Sequence, residues 1–316
     1  MTIKHILIGL FCLTLGFVPT VTALSQFDIH VSPVIWKTPM GDNYNPFDDT
    51  DYLQDILFDV SQNTGYTGNY FLTFSKGGSD LFDREAKTVD GKTIHYQLYG
   101  TLNSQFFLKD LPELGSLNEV VQGQISTGSP PNQHAIYMRV PSQQMLAPGV
   151  YTDTVEMTLY EGEFTNSLSV QSSRKVSIPI RIQVDKVSQF SVGDDDYGDS
   201  ATVNYGFDYI NEGEFLEYDL FVRSNVPYQI LAYSENEGFL MHENKQAKTK
   251  IDYVYMIDDV AMDLHNVEGI QFTPMFQTDY KVMSHVHKIR MILKKTSHAF
   301  RGQYFDPVSF DILPLY

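Results

Sequence analysis

Apolar and polar residues alternate in many short windows of this chain, and most of these windows are bounded by Gly, Pro, Asn or Asp. A period of two puts the apolar side chains on one face of a β-strand. Few windows repeat apolar residues at helical spacing. The cleanest strand is predicted in the window 175–185, with the apolar residues Val176, Ile178, Ile180, Ile182 and Val184. The pattern predicts an all-β protein, in keeping with the 20 tyrosines and 21 phenylalanines of the chain.

The first residues have the order of a secretory signal peptide. Lys4 precedes an apolar run, Ile6–Val18, which is followed by the small residues of the segment Val21–Ala23. The alternative is a membrane anchor, but the run is shorter than the roughly 20 residues that a spanning helix needs. We therefore expect residues 1–23 to be removed near Ala23 and the rest of the chain to be exported.

Composition limits both the covalent structure and the partners of the exported chain. The single cysteine, Cys12, lies inside the predicted signal peptide, so the exported protein must rely on apolar cores rather than on disulfides. Asp and Glu number 39 against 22 Lys and Arg, which gives a net charge of −17 at pH 7. This negative charge repels phosphate backbones, and nucleic acid is not expected as a partner.

One motif occurs twice, at an offset of 153 residues. Each copy reads Gly-x-Tyr-x-Asp-x-Val and continues with alternating apolar residues, as expected for a strand that begins after a turn glycine. At the same offset, His134 recurs as His287. The motif residues are Gly149, Tyr151 and Asp153 in the first copy and Gly302, Tyr304 and Asp306 in the second. The repeat indicates two diverged copies of one fold.

Upstream segments recur in the same order. Tyr70–Ser75 is answered by Tyr228–Ser234, and a later Ile-x-Tyr triplet, residues 94–96, is answered by residues 251–253. The boundary between the copies is expected near residue 186. The sequence therefore predicts a signal peptide at 1–23, a first β-sandwich at 24–186 and a second at 187–316.

At these residues the chain resembles the spore coat protein U domain family, which supplies subunits of archaic chaperone–usher pili. Both motif strands fit the family pattern, and in the first copy so do Tyr70–Ser75, the pair Gly77-Gly78, Arg84 and the triplet 94–96. The second copy lacks the arginine. The resemblance implies an immunoglobulin-like β-sandwich in each half of the chain.

The resemblance also implies that a sandwich of this kind borrows a strand from a neighbouring subunit. The first copy has a further apolar strand, Val176–Val184, after its motif, whereas in the second copy four residues follow Ile312. We therefore expect the second sandwich to lack its last strand. The resulting groove would be lined by Val308, Phe310 and Ile312.

A strand acceptor of this type would have several partners, and its place in a pilus follows from the resemblance. The expected partners are a pilus subunit that donates a strand, a periplasmic chaperone and an outer-membrane usher. No spare donor strand is recognised before Phe27, and this favours a tip adhesin, with the first sandwich binding a surface or receptor. Candidate adhesive loops contain Trp36, Met40, Pro130 and Pro131, although Trp36 fits a core position equally well. The alternatives are a self-sufficient two-domain coat or surface protein and a periplasmic pilus chaperone.

Residues with possible chemistry have simpler interpretations. The Tyr-x-Asp pairs of the motif could act as acid and base, but at the start of a strand they more often fix a corner of a sandwich. His285 and His287 share a strand face and form at most half of a metal site. The acidic run 194–196 lacks the spacing of a calcium loop. No catalytic motif is present, so neither enzyme activity nor a cofactor or metal is expected.

Overall fold

The computed structural model describes residues 27–30, 43–62, 67–164, 173–193, 197, 203–244, 249–264, 273, 275–276, 283–296 and 299–315. These residues form antiparallel strands and one short 3-10 helix, Leu117–Glu119. The predicted all-β class is confirmed. The predicted signal peptide, Trp36 and Met40 lie outside the described residues.

The first half of the chain forms one β-sandwich of nine strands. One sheet has the order β1-β2-β7-β5, the other has the order β6-β3-β8-β9, and β4 links β5 to β8. The inward side chains of β2, β7, β3, β8 and β9 share one apolar core. The strands are β1 Phe27–His30, β2 Tyr52–Gln62, β3 Gly68–Phe74, β4 Arg84–Lys87, β5 Thr93–Tyr99, β6 Val121–Ile125, β7 Asn132–Val140, β8 Gly149–Glu161 and β9 Ser173–Val184.

The second half repeats most of this topology. One sheet has the order β10-β11-β16-β14, with β15 and β13 both paired to β14, and β12 pairs with β18 in the other sheet. The long β8 of the first half corresponds to two strands here, β17 and β18, separated by Asp306 and Pro307. The strands are β10 Ser188–Val192, β11 Phe215–Ser224, β12 Tyr228–Ser234, β13 Phe239–His242, β14 Lys250–Ile257, β15 Val260–Met262, β16 Ser284–Leu293, β17 Tyr304–Phe305 and β18 Val308–Pro314.

The two halves are distinct in their strand pairing. Among the residues that the structure describes, no strand of β1–β9 pairs with a strand of β10–β18, and each half has its own apolar cluster. The fold is therefore two immunoglobulin-like sandwiches in tandem. Whether each half folds independently, with a boundary at residue 186, stays a prediction. No helix in the described part of the chain is long and apolar enough to cross a membrane.

The junction between the halves is short and hydrogen-bonded from both sides. Only residues 185–187 separate β9 from β10. From the first half, the Asn43 Nδ2 group donates to Asp185 Oδ1 at 2.7 Å. From the second half, the buried Asn225 donates from Nδ2 to the Asp185 carbonyl at 2.7 Å and accepts from the Val187 N–H at 2.9 Å. A single amide side chain thus bridges both ends of the junction.

Candidate functional site: a groove beside the last strand

In the first sandwich, β8 is covered on both edges. β3 pairs with one edge over Tyr70–Phe74, and β9 pairs with the other edge from Gly149↔Val184 to Tyr160↔Ser173. The inward residues of β8, Val155, Met157 and Leu159, are 0 % exposed as a result. The apolar strand predicted at residues 176–184 is confirmed as part of β9, and it closes this sandwich.

In the second sandwich, the described residues provide a partner strand for only one edge of β18, the counterpart of the second part of β8. β18 pairs with β12, from Val308↔Ser234 to Pro314↔Tyr228. The far edge of β12 is bonded to the segment around Thr273, whose N–H donates to the Ile230 carbonyl at 3.0 Å, as β6 bonds to β3 in the first half. Within the described residues, no strand occupies the position beside β18 that β9 occupies beside β8.

The inward side chains of β18 are less covered than their counterparts. Val308, Phe310 and Ile312 pack against the second core but are only half-buried, and the Phe310 ring lies 6.4 Å from the Tyr255 ring. The structure therefore brings the three residues of the predicted groove together on one face. Their role in binding a strand stays a prediction.

A second strand, β10, runs close to β18, and the sequence reasoning did not identify it. Phe190 lies directly opposite Val222, so both side chains point to the core side of the sheet. Val222 is 0 % exposed, whereas Phe190 is 37 % exposed although it faces the same way. Val192, two residues further on, faces the same side and is half-buried. The recurrence of Ser-Gln-Phe at residues 25–27 and 188–190 was the available signal, but it does not reveal which side Phe190 faces.

The tyrosines of the repeated motif fix the loops that precede their strands. Tyr151 donates from its hydroxyl to the Ala147 carbonyl at 2.9 Å. Tyr304 accepts from the Phe300 N–H at 2.8 Å and donates to the Phe300 carbonyl at 3.2 Å. Each hydroxyl therefore reaches back four residues. Gly302 has φ +155°, and a Cβ there would lie 2.1 Å from His242 Nε2, which explains the glycine of the second copy.

The aspartates of the motif bind the tyrosines of the upstream triplet. Asp153 Oδ2 accepts from the Tyr96 hydroxyl at 2.6 Å, and Asp306 Oδ2 accepts from the Tyr253 hydroxyl at 2.5 Å. Burial, with a further contribution from the neighbouring carboxylate, raises the pKa of both tyrosines. These bonds link the motif segment to the opposite sheet. They account for the recurrence of both the Gly-x-Tyr-x-Asp motif and the Ile-x-Tyr triplet.

The repeated histidines are also explained by packing. His134 Nε2 lies 2.7 Å from the Tyr70 hydroxyl, and His287 Nε2 lies 2.7 Å from the Tyr228 hydroxyl. In the second half, His287 Nδ1 is also 2.6 Å from Asp258 Oδ2, so both of its ring nitrogens are engaged. Among the described residues, no group of three His, Cys, Asp or Glu side chains is arranged to hold a metal.

One candidate adhesive loop lies far from the junction. Pro130 and Pro131 are exposed in the turn between β6 and β7. This turn follows Ile125, the last residue of β6, which pairs with Gly68 at the start of β3. Glu161, the last residue of β8, lies at the same end of the sandwich. The junction begins at the other end of the β8–β9 ladder, eleven residue steps or about 37 Å away. We call this end of the first sandwich the distal end.

Comparisons with known proteins found one family match and several similar solved structures. Residues 60–158 match the model of the Spore Coat Protein U domain. Among curated proteins, none matches the chain. Several solved structures cover most of the chain. One is the chaperone–tip subunit complex CsuC–CsuE of archaic Csu pili from Acinetobacter baumannii, at 12 % identity over 90 % of this chain and 100 % of that chain, with a TM-score of 0.47. Another is the CupB6 tip adhesin from Pseudomonas aeruginosa, at 9 % identity over 91 % of this chain and 96 % of that chain, with a TM-score of 0.36. A third is a chaperone–tip adhesin complex of CFA/I fimbriae, at 12 % identity over 87 % of this chain and 94 % of that chain, with a TM-score of 0.34.

These TM-scores lie below 0.5, so the solved structures add no detail about a site. The family match covers the end of β2, all of β3 to β7 and nearly all of β8, including the first copy of the motif. Within the first sandwich, residues 60–158 are therefore similar to the Spore Coat Protein U domain.

Proposed function

We propose that this protein is the tip adhesin subunit of a chaperone–usher pilus. In this proposal the first sandwich binds a surface or receptor through its distal end. The second sandwich accepts a strand from a neighbouring pilus subunit, and a periplasmic chaperone and an outer-membrane usher assist its assembly. The observation that carries the proposal is the edge of β18, which has no strand beside it in the described residues.

An open edge of this kind is costly. The side chains on both of its walls, Phe190 on β10 and Val308, Phe310 and Ile312 on β18, are incompletely buried. Each buried polar group left without a partner costs about 1–3 kcal/mol, and a whole domain is stable by only about 5–15 kcal/mol. Soluble proteins rarely leave such an edge uncovered. A strand from a partner would pair with the backbone of β18 and bury the apolar walls.

The first sandwich suits the binding role because it is already closed. Its β8 has β9 beside it over twelve residues, so it has no corresponding position for a partner's strand. Its exposed turn at Pro130 and Pro131 lies at the end opposite the junction, where an attached second sandwich leaves it accessible. The similarity of residues 60–158 to the Spore Coat Protein U domain supports membership of a pilus system.

The proposal is tested by supplying a strand to residues 24–316, the chain without its predicted signal peptide. A strand of alternating apolar residues, attached after Tyr316 through a flexible linker, should raise the Tm of the second sandwich by more than about 10 °C and suppress aggregation. Calorimetry and size-exclusion chromatography measure both effects.

Two variants of the fused chain serve as test and control. Phe310→Asp places a charge in the groove and should abolish the gain in Tm. Tyr233→Asp changes an exposed residue of the neighbouring β12 and should preserve the gain. A fused chain with no gain, or a second sandwich already closed by its own strand, would contradict the proposal and favour the self-sufficient coat protein.

A further inference from the structure

The first sandwich contains a natural template for the strand that the groove would accept. The offset of 153 residues superposes β18 on the second part of β8, residue by residue. The inward residues Val155, Met157 and Leu159 correspond to Val308, Phe310 and Ile312. On the outward face, Glu156 corresponds to Ser309 and Thr158 corresponds to Asp311.

The template strand, β9, has a definite order of residue types. Opposite Thr158 lies Lys175, opposite Met157 lies Val176, and opposite Val155 lies Ile178. Residues 175–178 therefore read basic, apolar, polar, apolar. The basic residue also forms an ion pair across the two strands, since Lys175 Nζ lies 2.5 Å from Glu156 Oε1.

In the second sandwich the acidic residue lies two positions further along the strand than in the first. Ser309 replaces the counterpart of Glu156, and the only charged residue of β18 is Asp311, at the position that faces Lys175 in the first sandwich. Asp311 is exposed, and in the described part of the chain no salt bridge or side-chain hydrogen bond joins its carboxylate. A basic residue on an added strand would face this carboxylate directly.

We propose that the groove selects an antiparallel strand with the order basic, apolar, polar, apolar, in which the basic residue lies opposite Asp311. The apolar residues would contact Phe310 and Val308, and the polar residue would point to solvent beside Ser309. This inference rests on the proposed function, since it specifies the chemistry of the donated strand. An exposed charge can also protect a strand edge from unwanted pairing, and the experiment below separates that role from selection.

Four fusions of the exported chain test the charge pairing. A copy of Ser173–Val184 is attached after Tyr316 through an eleven-residue linker, the length of the segment 162–172 that joins β8 to β9. The copy carries either lysine or glutamate at the position of Lys175, and the acceptor carries either Asp311 or Asp311→Lys. The unfolding transition of the second sandwich is measured for all four chains.

The expected result is a coupling between the two positions. Cross-strand pairs of opposite charge stabilise, and like charges destabilise by similar amounts, so the equilibrium constant should favour lysine over glutamate opposite Asp311 by between about two- and thirtyfold. With Asp311→Lys the preference should reverse, and in 1 M salt it should largely disappear. Asp311→Asn replaces Asp311→Lys if the latter does not fold, and it should abolish the preference.

The two proposals fail in different ways. If none of the fused strands stabilises the second sandwich, the proposed function fails together with this inference. If lysine and glutamate stabilise equally at low salt, the groove still accepts a strand but does not select its charge, and only this inference is overturned.

Discussion

Arg84 places a positive charge inside the first sandwich and binds the chain around it. Its side chain is fully buried, and its guanidinium donates to the carbonyls of Phe74, Ser75 and Leu108 and to Gln97 Oε1, at 2.7–3.1 Å. Burial lowers the pKa of this guanidinium to about 10, so it stays charged at neutral pH. Arg84 thereby joins β3, β4 and the loop before Leu108.

Replacing Arg84 should destabilise the first sandwich strongly. Arg84→Met removes the donor of four acceptors, and each buried acceptor left without a partner costs about 1–3 kcal/mol. Urea denaturation of residues 24–316 should show this loss in the free energy of unfolding. Arg181→Met, at an exposed arginine, should change it by less than about 0.5 kcal/mol. Equal effects at both positions would be inconsistent with the bonding of Arg84.

His134 should make the stability of the first sandwich depend on pH. Burial lowers its pKa in the folded state, with partial compensation from Asp59. The unfolded chain then binds the proton more tightly, so the stabilisation is present above the unfolded pKa of about 6.5 and is lost as pH falls toward the folded pKa. In His134→Gln this loss should be absent. Urea midpoints between pH 5 and 8 measure this loss. The same pH dependence in the native protein and in His134→Gln would contradict the role given to His134.

At the scale of the elements, β8 is paired along both edges, whereas in the described part of the second sandwich its counterpart β18 is paired along one edge. Met157→Ala should cost about 2–5 kcal/mol, as expected for a buried side chain. Phe310→Ala should cost less in the free chain, because its ring is only half-buried, and more once a strand has been attached over the groove. Denaturation with and without the attached strand measures the difference. A cost at Phe310 that does not change on strand attachment would mean that the ring is not in the groove.

Periodicity and repetition predict what lies within a strand. The alternation in residues 175–185 predicted β9. The two motifs predicted the strands β8, β17 and β18 and their inward residues. Contacts between distant strands leave no such pattern. β10, which carries Phe190, comes close to β18 only through the fold, and His134 meets Tyr70 only because both side chains enter one core. The carbonyl partners of Arg84 are backbone groups, which no choice of side chain encodes.

At the scale of the whole molecule, the first prediction concerns independent folding. The fragment 24–186 contains β1 to β9 and its own core, so it should fold alone with a cooperative unfolding transition. Circular dichroism and amide hydrogen exchange test this. The same fragment shortened to residue 172 lacks β9 and should fail to fold, since it exposes the inward face of β8.

The second prediction at this scale concerns the junction. Asn225 holds Asp185 and Val187 at once, so Asn225→Ala should loosen the connection while leaving both sandwiches folded. Spin labels on the two halves should give a narrow distance distribution in the native protein and a broader one in the variant. Asn236→Ala, away from the junction, is the control. A broad distribution in the native protein would mean that the bonds around Asn225 do not fix the two halves.

The direction of β7 and β9 has a mechanical consequence. Both strands run from the distal end toward the junction, β7 starting just after Pro131 and β9 ending at Val184. A pull applied at the distal end and resisted at the junction therefore acts along these strands. The twelve paired residues of β9 would slide against β8 together, and the ladder could not be peeled apart one bond at a time. The first sandwich is thus oriented to carry load in shear, the geometry in which a β-ladder resists rupture best.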